Sequence, residues 1–288
     1  MSLTRLGAAL LSLASLSACA SNEAGRLALS SPPAQPTALS APTLAFGAQP
    51  VAVDGGFPLY QSFQPARRSA LAGRTIAVAQ LSDIDLQPGE VVLTFDDGPM
   101  PGKTPKILDA LENAGVGATF LMVGQMAKAY PAIAREVAAK GHTIGTHTES
   151  HKNLRTLGTE AAMAEIRRGE ASVAKALAPA GFHPAPFFRF PYLADTQALR
   201  GRLAGEGVVT IDVDIDSKDY FRDGPSRVMA RTLDAVERKR HGIILFHDIQ
   251  ARTVAMLPDF LAELERRGYK VVDLKPAEPV GPQLLAQR

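Results

Sequence analysis

The sequence predicts an α/β fold in which about seven parallel strands form a distorted (β/α) barrel. Two observations support this class. From about Arg74 onwards, short runs of β-branched residues alternate with segments whose apolar residues recur at helical spacing, and such alternation is typical of a parallel sheet covered by helices. The chain also has 288 residues, 46% of them apolar, which is enough to bury a substantial core.

Each strand is predicted from a short apolar run, and each helix from an amphipathic segment between two such runs. The predicted strands are residues 91–95, 118–123, 142–146, 187–190, 208–212, 243–246 and 269–272. The predicted helices are residues 103–113, 127–139, 160–178, 196–204, 226–240 and 254–267. Seven strands favour closure into a barrel over an open sheet.

The N-terminal region reads as an export signal. Residues 6–18 are mostly apolar, but this stretch is too short to span a bilayer and is typical of a signal peptide. The approach Leu16-Ser-Ala-Cys19 resembles the processing box of bacterial lipoproteins, which implies cleavage after residue 18 and a lipid anchor on Cys19. Ala20 then favours the outer membrane of the cell envelope. An ordinary signal peptide with an incidental cysteine is the alternative.

Composition divides the chain into three regions. We expect a signal peptide at 1–18, a tether rich in Pro, Ser and Ala at 19–68, and a catalytic domain at 69–288 with its core at about 90–274. The 31 Lys and Arg residues against 29 Asp and Glu leave a formal charge of +2, too small to indicate a nucleic-acid partner. A monomer is expected.

Polar side chains follow the predicted strands at the points where the strands end. They are Asp96 and Asp97 after the first strand, His147 after the third, Arg189 at the end of the fourth, Asp216 and Asp219 after the fifth, and His247 after the sixth. In parallel barrels, the loops at the carboxyl ends of the strands share one face and build the active site. These side chains are therefore expected to converge.

Three of the residues suit a metal ion. Two consecutive carboxylates, Asp96 and Asp97, repel each other at the end of a buried strand unless a cation compensates. His147 and His151 are four residues apart, a spacing that can bring both imidazoles onto one face of a helical turn or compact loop. With Asp97 they supply two nitrogens and one oxygen, which suits Zn²⁺ with open positions. Ordinary turn chemistry and unrelated histidines remain the alternatives.

The other polar residues suit proton transfer. His247 ends a buried strand and is a candidate proton donor, although an isolated histidine there can also be a satisfied core residue. The guanidinium of Arg189 could hold a neighbouring carboxylate ionised and oriented. Asp219 lies in a polar loop that could equally be a solvated turn, and we expect it to play a supporting role.

Five motifs, in order, resemble those of the polysaccharide deacetylases of carbohydrate esterase family four, which include peptidoglycan, chitin and chitooligosaccharide deacetylases. The resemblance covers residues from about 90 to 274. The motifs are Thr94-Phe-Asp-Asp-Gly-Pro99, His147-Thr-Glu-Ser-His151, Arg189-Phe-Pro-Tyr192, Asp216-Ser-Lys-Asp-Tyr220 and Leu245-Phe-His247.

The resemblance implies a role for each matched residue. The metal ligands would be Asp97, His147 and His151, with Zn²⁺ the expected ion and Co²⁺, Mn²⁺ or Ni²⁺ as alternatives. The catalytic residues would be Asp96 as general base, Arg189 as its orienting partner, and His247 as general acid tuned by Asp219. The substrate-binding residues would be Tyr192, whose backbone N–H faces the oxyanion, Leu245 in the acetyl pocket, and Tyr220 as an aromatic wall.

The implied reaction is removal of N-acetyl groups from N-acetylglucosamine units of a polysaccharide, with a cell-envelope glycan such as peptidoglycan expected from the export signal. Tyr220 stands where the family usually has Trp, which puts the choice of substrate in doubt. An O-acetyl esterase and a non-catalytic glycan-binding lipoprotein are the alternatives. Non-haem iron oxygenases share the ligand set, but the alternation of strands and helices argues against them.

Overall fold

A computed structural model describes residues 69–277, and in this part of the chain nine strands and seven α-helices follow one another. The strands are β1 (Ala72–Val78), β2 (Glu90–Asp96), β3 (Thr119–Met122), β4 (Thr143–Thr146), β5 (Phe187–Phe188), β6 (Val209–Thr210), β7 (Ile215–Asp216), β8 (Gly242–His247) and β9 (Lys270–Pro276). The helices are α1 (Thr104–Ala114), α2 (Gly124–Ala129), α3 (Pro131–Ala139), α4 (Thr159–Leu177), α5 (Gln197–Gly205), α6 (Pro225–Lys239) and α7 (Ala251–Arg266). The predicted α/β class is confirmed.

The strands of this region pair in parallel. Seven of them form one row in the order β7, β8, β2, β3, β4, β5, β6. β9 pairs with the first residues of β2 and also with β1. Because the strands all run in one direction, their carboxyl ends lie at the same end of the sheet, where the active sites of parallel α/β folds are built.

The row of seven strands is not closed into a barrel. β6 and β7 lie at its two ends, and no strand pairing joins them within residues 69–277. The carbonyl oxygens of Ile211 and Asp212, just after β6, instead accept hydrogen bonds from the side chain of Arg189. The predicted distorted (β/α) barrel of about seven parallel strands is therefore confirmed, with the difference that it stays open between β6 and β7. The predicted strand at 269–272 belongs to β9, which lies outside the row. The seventh strand of the row is β7 instead.

Alternation along the strands separates two apolar layers. In β2, Val91, Leu93 and Phe95 pack with the surrounding helices, whereas Val92 belongs to the cluster inside the curved sheet. Because successive side chains of a strand point to opposite faces, Thr94 and Asp96 share the inner face with Val92. Asp96 is the last residue of β2, and its carboxylate therefore lies on the inner face at the carboxyl end of the strand.

Three details differ from the sequence-based expectations. β1 and β7 were not predicted as strands. The helix predicted at 127–139 is divided into α2 and α3 at Tyr130, whose φ of −129° and ψ of 55° are not helical. Pro131 explains this break, since proline disfavours helical backbone at the residue before it and suits the first position of a new helix.

The predictions for the signal peptide at 1–18 and for Cys19 and the tether at 19–68 concern residues outside the described part of the chain. The last 11 residues, 278–288, also lie outside it. Among the described helices, none combines the length and the apolar character that crossing a bilayer would require.

Candidate active site

A pocket of about 430 Å³ opens at the carboxyl ends of the strands. It is lined by Asp96, Asp97, His147, His151, Phe190, Tyr192, Leu193, Asp216, Tyr220, Leu245 and His247. Most of the residues singled out in the sequence therefore face one space, although they are up to 151 positions apart (96 to 247). Arg189 and Asp219 lie behind this lining and contact it through hydrogen bonds.

Asp97, His147 and His151 form a group that can hold a metal ion. Oδ1 of Asp97 lies 3.6 Å from Nε2 of His147 and 3.3 Å from Nε2 of His151. Ligands about 2.0–2.2 Å from a tetrahedral zinc ion stand roughly 3.3–3.6 Å apart. Both distances from the Asp97 oxygen to the imidazole nitrogens therefore match the spacing that a shared zinc ion would require, and the ligand atoms of the group all lie within 4.8 Å of one another.

The polar atoms of this group are also left free for a cation. Oδ1 of Asp97 is buried and has no hydrogen-bond partner among residues 69–277. Nδ1 of His147 lies 2.8 Å from the carbonyl oxygen of Arg189, so Nδ1 carries the proton and Nε2 keeps its lone pair. Burial, with the charges of His147 and His247, lowers the pKa of His151, which also favours the neutral imidazole that binds metals. The residues present therefore fit a divalent metal.

The loop that carries both histidines is a compact turn, one of the two arrangements that the spacing allowed. Thr148 and His151 have positive φ angles of 68° and 55°. Helix α4 stabilises this loop, because Glu165 of α4 accepts hydrogen bonds from the backbone N–H and the hydroxyl of Ser150. Gly169 of α4 lies so close to the loop that an added Cβ would overlap the carbonyl group of Thr148.

Asp96 and Arg189 form a buried ion pair under the pocket. Nη1 of Arg189 lies 2.7 Å from Oδ1 of Asp96, and the two side chains are 1% and 2% exposed. Nη1 also donates to the hydroxyl of Thr94 at 2.8 Å. Oδ2 of Asp96 lies 3.8 Å from Nε2 of His147. One carboxylate oxygen is thus engaged by the guanidinium, while the other faces the candidate metal group.

His247 stands beside the same group and is oriented by Asp219. The fully buried carboxylate of Asp219 accepts from Nδ1 of His247 at 2.6 Å and from its backbone N–H at 2.8 Å. Thr253 donates a third hydrogen bond to this carboxylate. Burial alone would lower the pKa of His247, but Asp219, with the charges of Asp97 and Asp96, outweighs it and raises the pKa to about 9. The imidazolium is therefore favoured at neutral pH.

Substituting Asp219→Asn is expected to lower the pKa of His247, because the charge that stabilises the imidazolium is removed while burial still disfavours it. In the metal-free protein, the His247 resonances followed by NMR should titrate well below pH 9. In the unmodified protein, the imidazolium of His247 adds to the free energy of unfolding, and this contribution is fully present below about pH 6.5 and is lost as pH rises toward 9. The free energy of unfolding of the variant should not fall in this way between pH 6.5 and 9. Asp216→Asn is the control, since Asp216 accepts from the Tyr220 hydroxyl rather than from His247. An unchanged titration in Asp219→Asn would contradict the assignment.

Aromatic and apolar side chains surround the mouth of the pocket. Tyr192 and Tyr220 are 66% and 46% exposed, and their rings contact His151 and His247 edge-on at centroid distances of 4.6 and 5.6 Å. Burial of its hydroxyl and the hydrogen bond to Asp216 raise the pKa of Tyr220 to about 12, so this ring stays neutral. Leu245 is buried in the wall. Such exposed rings can stack on the apolar face of a sugar.

Several residues of the site were not singled out from the sequence. Glu165 and Thr253 lie on helices, and Leu193 lines the mouth next to Tyr192. Asp248 follows His247 and is buried, with its pKa raised by burial to about 7. A sequence shows no sign of these contacts, because acids and hydroxyls on helices are usually exposed.

Comparisons with known proteins agree with this geometry. The family model described as polysaccharide deacetylase matches residues 83–210. A chitin deacetylase of Colletotrichum lindemuthianum is 33% identical over 216 residues, which cover 71% of this chain and 85% of that protein.

Solved structures give the same result. A peptidoglycan deacetylase of Bdellovibrio bacteriovorus is 36% identical with a TM-score of 0.63, covering 74% of this chain and 58% of that one. A family 4 carbohydrate esterase of Streptomyces lividans, solved in complex with acetate, is 31% identical with a TM-score of 0.56, covering 68% of this chain and 95% of that one. The order of motifs, the fold and these relatives lead to one conclusion: the chain belongs to the polysaccharide deacetylase family.

Proposed function

We propose that this domain removes N-acetyl groups from N-acetylglucosamine units of a cell-envelope glycan, and that it uses a divalent metal, most simply Zn²⁺, held by Asp97, His147 and His151. The observation that carries the proposal is that two oriented proton-transfer groups flank the three candidate ligands. Oδ2 of Asp96 lies 3.8 Å from Nε2 of His147, and Nε2 of His247 lies 4.0 Å from Oδ2 of Asp97.

An amide is a poor electrophile, so its hydrolysis needs an activated carbonyl and a strong nucleophile. A bound divalent cation would supply both, as a Lewis acid and by making a water molecule more acidic. Asp96 would accept the proton of the attacking water at Oδ2, while Arg189 holds Oδ1. The backbone N–H of Tyr192 would donate to the oxyanion of the tetrahedral intermediate.

Departure of the sugar amine requires a proton on its nitrogen. His247 would donate that proton from Nε2, since Nδ1 is held by Asp219 and the imidazolium is the favoured form. The products would be acetate and a glucosamine unit. Leu245 and the ring of Tyr220 would bound the space for the acetyl group.

Two arguments favour a cell-envelope glycan. The N-terminal segment is expected to export the chain and to anchor it through Cys19, which would bring the domain to that glycan. One of the similar solved structures is a peptidoglycan deacetylase. The chitin deacetylase relative makes chitin oligomers the main competing substrate.

Acetate release by the purified protein tests the proposal. Peptidoglycan glycan strands, chitin oligomers, poly-N-acetylglucosamine and an O-acetylated glycan would be offered, with and without a chelator. We expect acetate from an N-acetylated substrate, loss of activity to background after chelation, and recovery when Zn²⁺ is added back. Activity that survives thorough metal removal would overturn the metal mechanism, and acetate from the O-acetylated glycan alone would indicate an esterase.

A further inference from the structure

A buried carboxyl group lies next to the active site without facing the pocket. Asp248 follows His247 directly and is 1% exposed. Its Oδ2 accepts a hydrogen bond of 2.6 Å from the hydroxyl of Thr104, the fully buried first residue of α1. The hydroxyl of Thr104 in turn accepts from the backbone N–H of Met100 at 2.7 Å. A chain of hydrogen bonds thus runs from β8 to the turn after β2.

The same carboxyl group packs directly under that turn. A Cβ placed on Gly98 would overlap both oxygens and Cγ of Asp248, so the backbone of the turn rests on this group. Gly98 follows Asp97, whose backbone has an unusual positive φ of 79°. A non-glycine residue rarely keeps such a conformation unless its surroundings impose it. Asp248 and Thr104 on one side, and the backbone N–H of Val123, which donates to the carbonyl oxygen of Gly98 at 3.2 Å, on the other, are the surroundings that hold this turn.

The position of Asp248 relative to the sheet explains why such a link is needed. Backbone pairing between β2 and β8 ends at the pair Asp96 and His247. Asp97 and Asp248 are the next residues along each strand, where ladder hydrogen bonds no longer hold the two strands together. The Thr104–Asp248 hydrogen bond continues the connection just beyond the last backbone pair.

Burial disfavours the ionised form of the Asp248 carboxyl group. Oδ1 of Asp248 is buried without a hydrogen-bond partner in the described part of the chain. Buried polar groups normally have partners, and an unpaired one calls for an explanation. A role in the geometry of the neighbouring site supplies it.

We propose that Asp248 and Thr104 are positioning residues, which fix the Asp97 turn against the end of β8 and thereby set the distance between the Asp97 carboxylate and His247. That distance, from Oδ2 to Nε2, is 4.0 Å in the structure. The inference rests on the proposed function, in which Asp97 binds the metal and His247 donates the proton. Neither Asp248 nor Thr104 lines the pocket.

Thr104→Val is the sharpest test, because it keeps the shape of the side chain and removes its hydroxyl. We expect Zn²⁺ binding to the metal-free protein, measured by calorimetry, to weaken about 10-fold or more, as is typical when groups that orient metal ligands are removed. The kcat should fall by a similar factor with KM little changed. Thr104→Ser, which retains the hydroxyl, should restore both values to near those of the unmodified protein.

Asp248→Asn provides a second variant, and Asp273→Asn is its matched control. Asp273 is a partly buried carboxyl group that also packs against a glycine, Gly117, with one oxygen lacking a partner among the described residues, but it lies on β9 away from the pocket. We expect Asp248→Asn to weaken Zn²⁺ binding and Asp273→Asn to leave it unchanged.

Each outcome decides the inference. If Thr104→Val and Asp248→Asn lower only the melting temperature while Zn²⁺ affinity and kcat stay unchanged, the two residues are merely structural and the positioning role is overturned. If the unmodified protein binds Zn²⁺ and the variants bind it equally well, the inference fails while the proposed function stands. If the unmodified protein binds no divalent metal, both fail together.

Discussion

Asp96→Asn is expected to lower kcat about 10³-fold, within the range that general-base catalysis contributes. Asparagine has nearly the shape of aspartate, and its amide oxygen can still accept the hydrogen bond from Nη1 of Arg189. It cannot accept a proton from water. Binding of Zn²⁺ and of the glycan should persist, because neither depends on the basicity of residue 96. Acetate release and calorimetric metal binding measure the two effects separately.

Asp212→Asn is the matched control for this variant. Oδ1 of Asp212 also pairs with an arginine, Arg200, at 2.6 Å, but its side chain is 46% exposed and does not line the pocket. Its loss should leave kcat unchanged. If acetate release by Asp96→Asn equalled that of the unmodified protein, the assignment of Asp96 as the base would be overturned.

Arg189→Met is expected to have the largest effect on stability, lowering the free energy of unfolding by about 3–5 kcal/mol. The variant would leave the carboxylate of Asp96 buried without its counter-charge. The carbonyl oxygens of Ile211 and Asp212 would also lose their donors at the opening between β6 and β7. Urea denaturation followed by circular dichroism measures the difference.

Arg200→Met tests whether burial causes this loss. Arg200 pairs with two carboxylates, those of Asp195 and Asp212, but its side chain is 35% exposed. Exposed ion pairs typically contribute at most about 1 kcal/mol, so the control should lose little. A loss in Arg189→Met no greater than that in Arg200→Met would contradict the role given to the buried pair.

The sequence predicted the parts of the fold that depend on local pattern. β2 and β8 are long apolar runs, and because parallel strands end at the same edge of a sheet, their last residues were enough to predict that Asp96 and His247 lie close together. β7 has only two residues and, among the strands of the described part of the chain, pairs only with β8, so no local run of residues marks it. The break at Pro131 could have been predicted, because a proline inside an amphipathic segment commonly ends a helix at the preceding residue.

The contacts that support the site could not be predicted in the same way. Thr104 and Asp248 are 144 residues apart, and Glu165 lies on a helix surface that usually faces water. Each becomes buried only because loops from distant parts of the chain pack over it. The opening between β6 and β7 was missed for a related reason, since strand counting cannot show that a side chain, Arg189, satisfies backbone carbonyls there.

Exposed aromatic rings surround the reacting groups, but buried groups orient them. Tyr192 and Tyr220 contact the imidazoles of His151 and His247 through ring edges, whereas the hydrogen bond that fixes His247 comes from buried Asp219. Under the proposed function, we therefore expect a substitution in an exposed ring to change which sugars the mouth accepts without disturbing that bond. Sugar preference and reaction type would then depend on different side chains, the first on exposed rings and the second on buried acids.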